Sequence, residues 1–214
     1  MPHTVALYAP FLDSLPINGI SISVRGSQRE STICVSDSQA ARIDELHYAL
    51  GEGPHWQALR TGRPSLVGNV ATADHSEWPM FADALTHVRV GALFSFPLLI
   101  AGKVVGVADM YRTAPGPFGT ESIEAAQALA AIAAPAAVQL ATASAQQDRP
   151  RGSRAPELRR EVQQATGMVL VQLGLSASDA FLRLQAHAFS TGRTLREVSN
   201  DVVARRLDFR QLPD

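Results

Sequence analysis

The spacing of apolar residues changes repeatedly along the first two thirds of the chain. Over residues 5–15, and again over residues 40–50, apolar side chains recur every three or four positions, which predicts helices. Residues 20–24 alternate isoleucine or valine with serine, which predicts a half-buried strand, and residues 31–35 predict the strand that pairs with it. Residues 51–54 end the second helix because they combine glycines with a proline.

Two apolar segments, residues 92–100 and 103–111, are separated by two residues, a connection typical of a β-hairpin. Strands that pair with their sequence neighbours, interrupted by helices, predict an α+β domain in which helices flank an antiparallel sheet. The pattern also predicts a short helix over residues 56–60, a strand over residues 65–70, a loop around Trp78 and a long helix from Thr120.

The last third of the chain predicts a separate all-α domain. Residues 147–156 are polar and basic and contain two prolines, which is typical of a linker. Three amphipathic segments follow and predict a three-helix bundle; they end at Gly174, at Gly192 and near Leu207. The second and third open on Ser176 and Thr194, each with an acidic residue three positions later. We assign residues 1–147 to the first domain, 148–156 to the linker and 157–210 to the second domain.

The composition is that of a folded chain, with 46% hydrophobic and 18% charged residues. We find no charged-then-apolar leader and no apolar run long enough to span a bilayer, so we expect a cytoplasmic protein with no membrane contact. The alanine-rich residues 125–145 predict a packed helix. Cys34 is the only cysteine, which excludes an internal disulfide and predicts a small buried side chain in a strand.

Charge is distributed unevenly along the chain. Residues 1–150 hold 9 of the 19 basic and 13 of the 20 acidic side chains, whereas residues 151–214 hold 10 arginines and 7 acidic residues. A guanidinium group presents a planar set of donors that suits phosphates and guanine edges. The surplus is modest, so by itself it is weak support for a nucleic-acid partner.

Two segments of the first domain, residues 46–70 (LHYALGEGPHWQALRTGRPSLVGNV) and residues 96–112 (FPLLIAGKVVGVADMYR), resemble the GAF domains of actinobacterial regulators. The resemblance implies a domain that senses an unidentified small molecule or mediates dimerisation. His55 stands where family members often have cysteine, and His47 lies in the region where glutamine is usual. The candidate ligand-binding residues are His47, His55, Trp56 and Trp78.

Residues 157–207 resemble an ANTAR domain along their whole length, through the motifs QATGM, DAFLRL, AHA and LREV. The resemblance implies a homodimer that binds paired RNA hairpins in nascent transcripts and causes transcription antitermination. Gln185 stands where the family usually has arginine, and Ser199 stands where it usually has alanine. We assign Phe181 and Phe189 to the hydrophobic core. The candidate RNA-binding residues are Arg159, Arg160, Gln164, Thr166, Arg183, Gln185, His187, Arg193 and Arg196.

Several kinds of chemistry are excluded or disfavoured. Methionine sulfoxide reduction, an activity of some GAF relatives, needs an attacking and a resolving thiol, and one cysteine cannot supply both. A phospho-receiver domain is excluded because Lys103, the only lysine, lies at a hairpin turn. His47 and His55 have no nearby carboxylate pair at ligand spacing, so hydrogen-bonded or solvated histidines are expected rather than a metal or haem site. We expect no catalytic residue, no metal and no cofactor.

Two other functions remain open. In one, the second and third helices of the ANTAR-like segment form the helix-turn-helix of a DNA-binding regulator, although Val202 and Val203 make the third helix largely core. In the other, the protein is a ligand-binding dimerisation module with weakened RNA binding, which the glutamine at position 185 favours. RNA binding is the leading prediction.

Overall fold

The structure is a computed structural model that describes residues 2–26, 30–147 and 154–212. Side chains are described throughout these ranges except at residues 2–6, 145–147, 154–160 and 178. The chain divides into two compact units, residues 1–155 and residues 156–214.

In the first unit a five-stranded antiparallel sheet lies between two groups of helices. The strands are β1 (Gly19–Arg25), β2 (Glu30–Val35), β3 (Ser65–Val67), β4 (Ala92–Ile100) and β5 (Lys103–Arg112), in the spatial order β2-β1-β5-β4-β3. The helices are α1 (Pro2–Ser14), α2 (Ser38–Leu50), α3 (Pro54–Thr61), α4 (Pro79–Leu85) and α5 (Thr120–Gln147). The predicted α+β domain with an antiparallel sheet and flanking helices is confirmed.

One face of the sheet packs against α1 and α5. Ile20 and Ile22 of β1 lie on this face with Phe94 and Phe96 of β4, and all four are fully buried. Cys34 of β2 belongs to the same core, as the sequence predicts, and burial raises the pKa of its thiol to about 12. Helix α5 contributes small residues, which let it lie close to the strands: Ala126, Ala130, Ala133, Ala134 and Ala137.

The opposite face packs against α2, α3 and α4 and carries buried polar side chains. Ser21, which alternates with the isoleucines of β1, is 2% exposed. The prediction that β1 is half-buried was therefore wrong, because helices cover both faces of the sheet. The strand register places Ser21, Asp109, Ser95 and Ser65 side by side on β1, β5, β4 and β3. A row of polar side chains thus crosses the buried face, and we call it the polar row.

Two predicted elements differ from the structure. The segment around Trp78 was predicted to be a loop, but Pro79 begins helix α4, since proline is favoured in the first turn of a helix. Strand β3 ends at Val67 and not at Val70.

One side of α5 faces away from the sheet and is exposed. This side, which we call the outer face of α5, includes Ala128, Ala131, Ile132 and Pro135, and Ile132 is 75% exposed. The segment Thr120–Ser144 is long and apolar enough to cross a membrane by length and composition, with a mean hydropathy of 1.4. The expectation that no run reaches this length was wrong. Core helices can pass the same test, and the alanines on the inner side of α5 belong to the core of the first unit.

The second unit is a bundle of three helices, α6 (Arg154–Leu173), α7 (Ala177–Ser190) and α8 (Leu195–Val203), followed by a short 3-10 helix (Phe209–Gln211). The predicted three-helix bundle is confirmed. Helix α6 begins inside the segment assigned to the linker. Helix α8 ends before Leu207, and Arg205 beyond it adopts a left-handed φ of 57°. The buried side chains of the bundle include Val162, Val169, Leu184, Val198 and Val202.

The helix caps of the bundle match the sequence signals. The Ser176 side chain accepts a hydrogen bond from the Asp179 amide, and Thr194 and Glu197 form a reciprocal capping box.

The assignment of Phe189 to the core was wrong, since this side chain is 72% exposed. It follows Leu182 by seven residues and therefore lies on the same outward side of α7. Phe181 is partly buried.

Candidate functional site

A histidine and two carboxylates meet beneath the buried polar face of the sheet. His55, the second residue of α3, is 1% exposed. Its Nδ1 lies 2.6 Å from Oδ2 of Asp109 on β5, and its Nε2 lies 2.7 Å from Oε1 of Glu30 on β2. The Ser95 hydroxyl donates to Asp109 Oδ1 over 2.5 Å, and the Ser23 hydroxyl donates to Glu30 Oε1 over 2.6 Å. The sheet therefore holds both carboxylates against the imidazole.

The charges of this cluster support one another. Burial by itself lowers the pKa of His55, but the neighbouring Asp109 and Glu30 carboxylates outweigh burial and raise it to about 10. Burial by itself raises the pKa of Asp109, and the positive His55 outweighs it, so this pKa lies below its usual value. At neutral pH His55 is therefore an imidazolium held against the ionised Asp109.

A second imidazole, that of His47, adjoins the first. His47 lies in the last turn of α2 and is 2% exposed. Its ring stacks on that of Phe81 with 4.3 Å between ring centroids, and its centroid lies 5.4 Å from that of His55. His47, His55 and Asp109 each offer one possible metal-binding atom, and these three atoms lie within 4.8 Å of one another.

The loop between α2 and α3 positions both histidines. Gly51 caps α2 in the left-handed conformation at φ 66°. Glu52 accepts hydrogen bonds from the backbone amides of Met80 and Phe81, which fixes the start of α4. A Cβ atom on Gly53 would come within 2.8 Å of both His47 and Phe81, so glycine at this position leaves room for the stacked rings.

The four candidate ligand-binding residues lie in one connected group of rings. Trp56 Nε1 donates to the His47 carbonyl over 2.6 Å, and the Trp56 ring meets His55 edge-on. Trp78, which is buried, contacts Phe81 edge-on at 5.8 Å, and Phe81 in turn stacks on His47. Trp78 also lines an open cleft of about 680 Å³, together with Gln57, Ser65 and Asn69.

In the second unit most described arginines already have acidic partners. Arg193 and Arg206 both contact Asp201, at 2.5 and 2.6 Å, and Arg210 contacts Asp208. Arg196 lies 3.9 Å from Glu161 on α6. Among the side chains that the structure describes in this unit, no carboxylate lies within 4.0 Å of Arg183 or Arg205.

The polar candidates of this unit lie on different surfaces. Gln164 is exposed, whereas Thr166 is 5% exposed and donates its hydroxyl hydrogen to the Val162 carbonyl. The His187 ring meets Phe209 edge-on, and burial, followed by the nearby Arg193, lowers the pKa of His187. Gln185 is half-buried. The side chains of Arg159 and Arg160 lie outside the described residues.

The candidates Arg183, Gln185 and His187 do not all lie on one flank of α7. Residues two positions apart in an α-helix point about 160° away from each other. Gln185 therefore lies on the opposite flank of α7 from Arg183, whereas His187, four positions after Arg183, is on the same flank.

Comparison with protein families identifies the first unit. The model of the GAF domain matches residues 14–137, more than half of the chain. The chain belongs to the GAF domain family. Residues 153–203 match the model of the ANTAR domain, so a GAF domain is followed by an ANTAR domain, as the sequence predicts. Both are families of regulatory domains. The search of curated proteins found no match.

A solved structure with the fold of the first unit comes from a GAF domain protein. The GAF domain/HD domain protein from Geobacter sulfurreducens is 12% identical, with a TM-score of 0.50 over 66% of this chain and 93% of that chain. A domain of a two-component sensor histidine kinase protein from Sinorhizobium meliloti 1021 is 18% identical, with a TM-score of 0.49 over 69% of this chain and 94% of that chain. At these identities the similarity concerns the fold alone.

The carboxylates at the centre of the GAF domain were not predicted from the sequence. Glu30 and Asp109 are separated from His55 by 25 and 54 positions, and only strand pairing brings them to it. A sequence signal existed, because Asp109 is the single charged residue within the apolar run of β5 that follows Lys103 and precedes Arg112. A lone acid in a buried strand needs a partner. His47 and His55 were expected to be hydrogen-bonded or solvated. His55 is hydrogen-bonded, to Asp109, and both rings are buried rather than solvated.

Proposed function

We propose that this protein is a cytoplasmic, RNA-binding transcription antitermination regulator. In this proposal the ANTAR domain binds paired RNA hairpins in nascent transcripts, and the GAF domain controls it by sensing a small molecule and by dimerisation. The observation that carries the proposal is the ANTAR match over residues 153–203, within which an exposed arginine, Arg183, has no acidic partner among the described residues.

Arg183 is suited to a phosphate because it has no ion pair with any described residue that it would first have to give up. Arg193 and Arg206 share Asp201, so their charges are partly neutralised within the bundle. His187 lies on the same flank of α7 as Arg183 and extends that flank toward Arg193. We therefore centre the RNA surface on Arg183, with Gln164, Arg193 and Arg196 as further candidates. We leave out Gln185, which lies on the opposite flank of α7, and the buried Thr166.

DNA binding by α8 has less support. The helix has nine residues, and Leu195, Val198, Ser199 and Val202 are buried. Its outward side carries Glu197, whose negative charge disfavours contact with a phosphate backbone. A recognition helix needs a row of base-reading side chains, and the four buried residues of α8 leave little of its surface for such a row.

Homodimerisation is supported by the outer face of α5. Small alanine side chains allow two helices to approach closely, and Ile132 is exposed among them. Two copies related by a two-fold axis present two equivalent ANTAR surfaces, one for each hairpin of a pair. In this proposal residues 1–147, 148–156 and 157–210 act as sensor, linker and RNA-binding domain.

The proposal assigns no enzymatic activity to the chain. Cys34 is the only cysteine and is 3% exposed, and burial raises its pKa to about 12, so its thiol stays protonated at neutral pH. A protonated, buried thiol is a poor nucleophile.

Transcription in vitro tests this function directly. The template carries two hairpins in tandem upstream of an intrinsic terminator, and the readout is the fraction of transcripts that extend past the terminator. Wild-type protein is expected to increase this fraction, and a template with one hairpin deleted is expected to show no increase. Equal readthrough with and without protein on the paired template would overturn the proposal.

A further inference from the structure

The cluster of His47, His55, Asp109 and Glu30 has the composition of a transition-metal site. All four side chains are at most 7% exposed. Imidazole nitrogens and a carboxylate oxygen are the ligands that zinc, iron, cobalt and nickel accept in proteins. The three possible ligand atoms of His47, His55 and Asp109 lie within 4.8 Å of one another.

These distances are close to those a bound ion requires. Around a tetrahedral ion with metal–ligand distances of about 2.0–2.1 Å, neighbouring ligand atoms are roughly 3.3 Å apart. The 4.8 Å limit exceeds this spacing by about 1.5 Å, and the 2.6 Å between His55 Nδ1 and Asp109 Oδ2 is about 0.7 Å shorter, so side-chain shifts of this size would place the three atoms around one ion. Gly53 leaves the space into which the His47 ring fits.

The surroundings of His55 match the second coordination sphere of known metal sites. A metal-binding histidine usually donates its other ring N–H to a carboxylate, which fixes the ring and strengthens the ligand. Glu30 occupies this place at 2.7 Å from Nε2, and Nδ1 faces Asp109. Ser95 donates to Oδ1 of Asp109 and leaves Oδ2 directed at the histidine.

Charge balance also favours a divalent ion. Glu30 and Asp109 place two carboxyl groups in the interior, one on each side of the His55 ring. A divalent cation with neutral imidazoles compensates both, and buried charges are stable when compensated in this way. On binding, the ion replaces the proton between Nδ1 of His55 and Oδ2 of Asp109, and that proton passes to the solvent.

From these observations we propose that the GAF domain binds one divalent first-row transition-metal ion, with His47, His55 and Asp109 as ligands and Glu30 as the carboxylate that orients His55. Mg²⁺ and Ca²⁺ are excluded as occupants because they prefer all-oxygen ligand sets. The site stands independently of the RNA-binding function, since each of its residues lies in the GAF domain.

The test uses the full-length chain without a histidine tag. The protein is refolded with Co²⁺ and desalted, and the metal content per chain and the visible absorption of bound Co²⁺ are measured. We expect about one ion per chain for the wild type and for the control His87→Gln, which changes an exposed histidine of the same domain.

The variants separate ligands from supporting residues. His47→Gln is expected to weaken Co²⁺ binding at least tenfold, and Glu30→Gln to weaken it about 10- to 100-fold while one ion per chain is still reached at saturation. Asp109→Asn changes the carboxylate ligand in the same way. Circular dichroism establishes which variants fold. If Asp109→Asn does not fold, the loss of Co²⁺ binding by His47→Gln tests the proposed ligand set. Fewer than about 0.1 ion per folded wild-type chain, or equal binding by wild type and folded His47→Gln, would overturn the proposal.

Discussion

His55 and Asp109 join two distant parts of the GAF domain through a buried hydrogen bond of 2.6 Å between Nδ1 and Oδ2. His55 lies in the first turn of α3, and Asp109 lies within β5 on the polar row. The His55 imidazolium also contacts Glu30, so this side chain connects α3 to β5 through Asp109 and to β2 through Glu30. Removing His55 leaves two buried carboxylates without their partner, and removing Asp109 leaves Glu30 as the only one of the two carboxylates beside His55.

Asp109→Asn is therefore expected to destabilise the GAF domain by about 3 kcal/mol, because it removes one of the two carboxylates that offset the burial of the His55 charge. Urea denaturation followed by fluorescence of Trp56 and Trp78 measures the change. The control is Asp74→Asn, the same substitution at an exposed aspartate. A loss below about 1 kcal/mol for Asp109→Asn would show that the buried pair contributes little to stability.

Gly53→Ala is expected to cost more stability than Gly51→Ala, although both glycines have a positive φ. At Gly51, where nothing lies within 4 Å of an added Cβ, the cost is that of the left-handed conformation, about 1–2 kcal/mol. At Gly53 the added Cβ also overlaps His47 and Phe81, which adds roughly 1–3 kcal/mol. Thermal and urea unfolding of the two variants compare the costs. Equal costs would mean that the rings of His47 and Phe81 shift freely.

Ser199→Ala is expected to stabilise the ANTAR domain by about 1 kcal/mol. Ser199 is fully buried, and its hydroxyl has no hydrogen-bond partner among the residues that the structure describes. Alanine, the residue usual in the family, removes this unsatisfied group and fits the same space. The free energy of unfolding of the ANTAR domain measures the effect. A loss of stability would indicate that the Ser199 hydroxyl forms a hydrogen bond in solution.

The local elements of the fold could be predicted because their signals lie close together in the sequence. The β4–β5 hairpin follows from two apolar runs separated by two residues, and the α8 cap follows from Thr194 and Glu197 three positions apart. The α4 helix was missed because a proline preceded by tryptophan indicates a turn as readily as a helix start.

The site could be predicted only in part, since its chemistry depends on strand register. His47 and His55 were identified as candidates, but their carboxylates come from β2 and β5, and a shift of one residue in β5 would turn Asp109 to the other face. On α7, Arg183 and Gln185 were both predicted to bind RNA, and the 100° step of the helix places them on opposite flanks.

Ile132→Arg is expected to convert the proposed dimer into a monomer, because it places a charge in the apolar outer face of α5. The control is Gln127→Arg on the same helix, about 140° around the axis from Ile132, which is expected to leave the dimer intact. Light scattering at micromolar concentration measures the molar mass. A monomeric wild type, with and without RNA, would contradict the homodimer.

The central claim is that the ANTAR domain binds paired RNA hairpins through the flank of α7 that carries Arg183. Arg183→Ala removes an exposed charge with no acidic partner among the described residues, whereas Arg210→Ala removes one that Asp208 already compensates. Arg183→Ala is expected to weaken binding roughly five- to tenfold and to reduce the salt slope by about one, and Arg210→Ala to change neither.

Competition binding of the full-length protein tests this claim most directly. A labelled paired-hairpin RNA is displaced by unlabelled paired hairpin, single hairpin or DNA duplex at two salt concentrations, for wild type, Arg183→Ala and Arg210→Ala. The account predicts that the paired hairpin competes best against the wild type and that only Arg183→Ala loses affinity. Stronger competition by the DNA duplex, or equal affinity of wild type and Arg183→Ala for the paired hairpin, would contradict it.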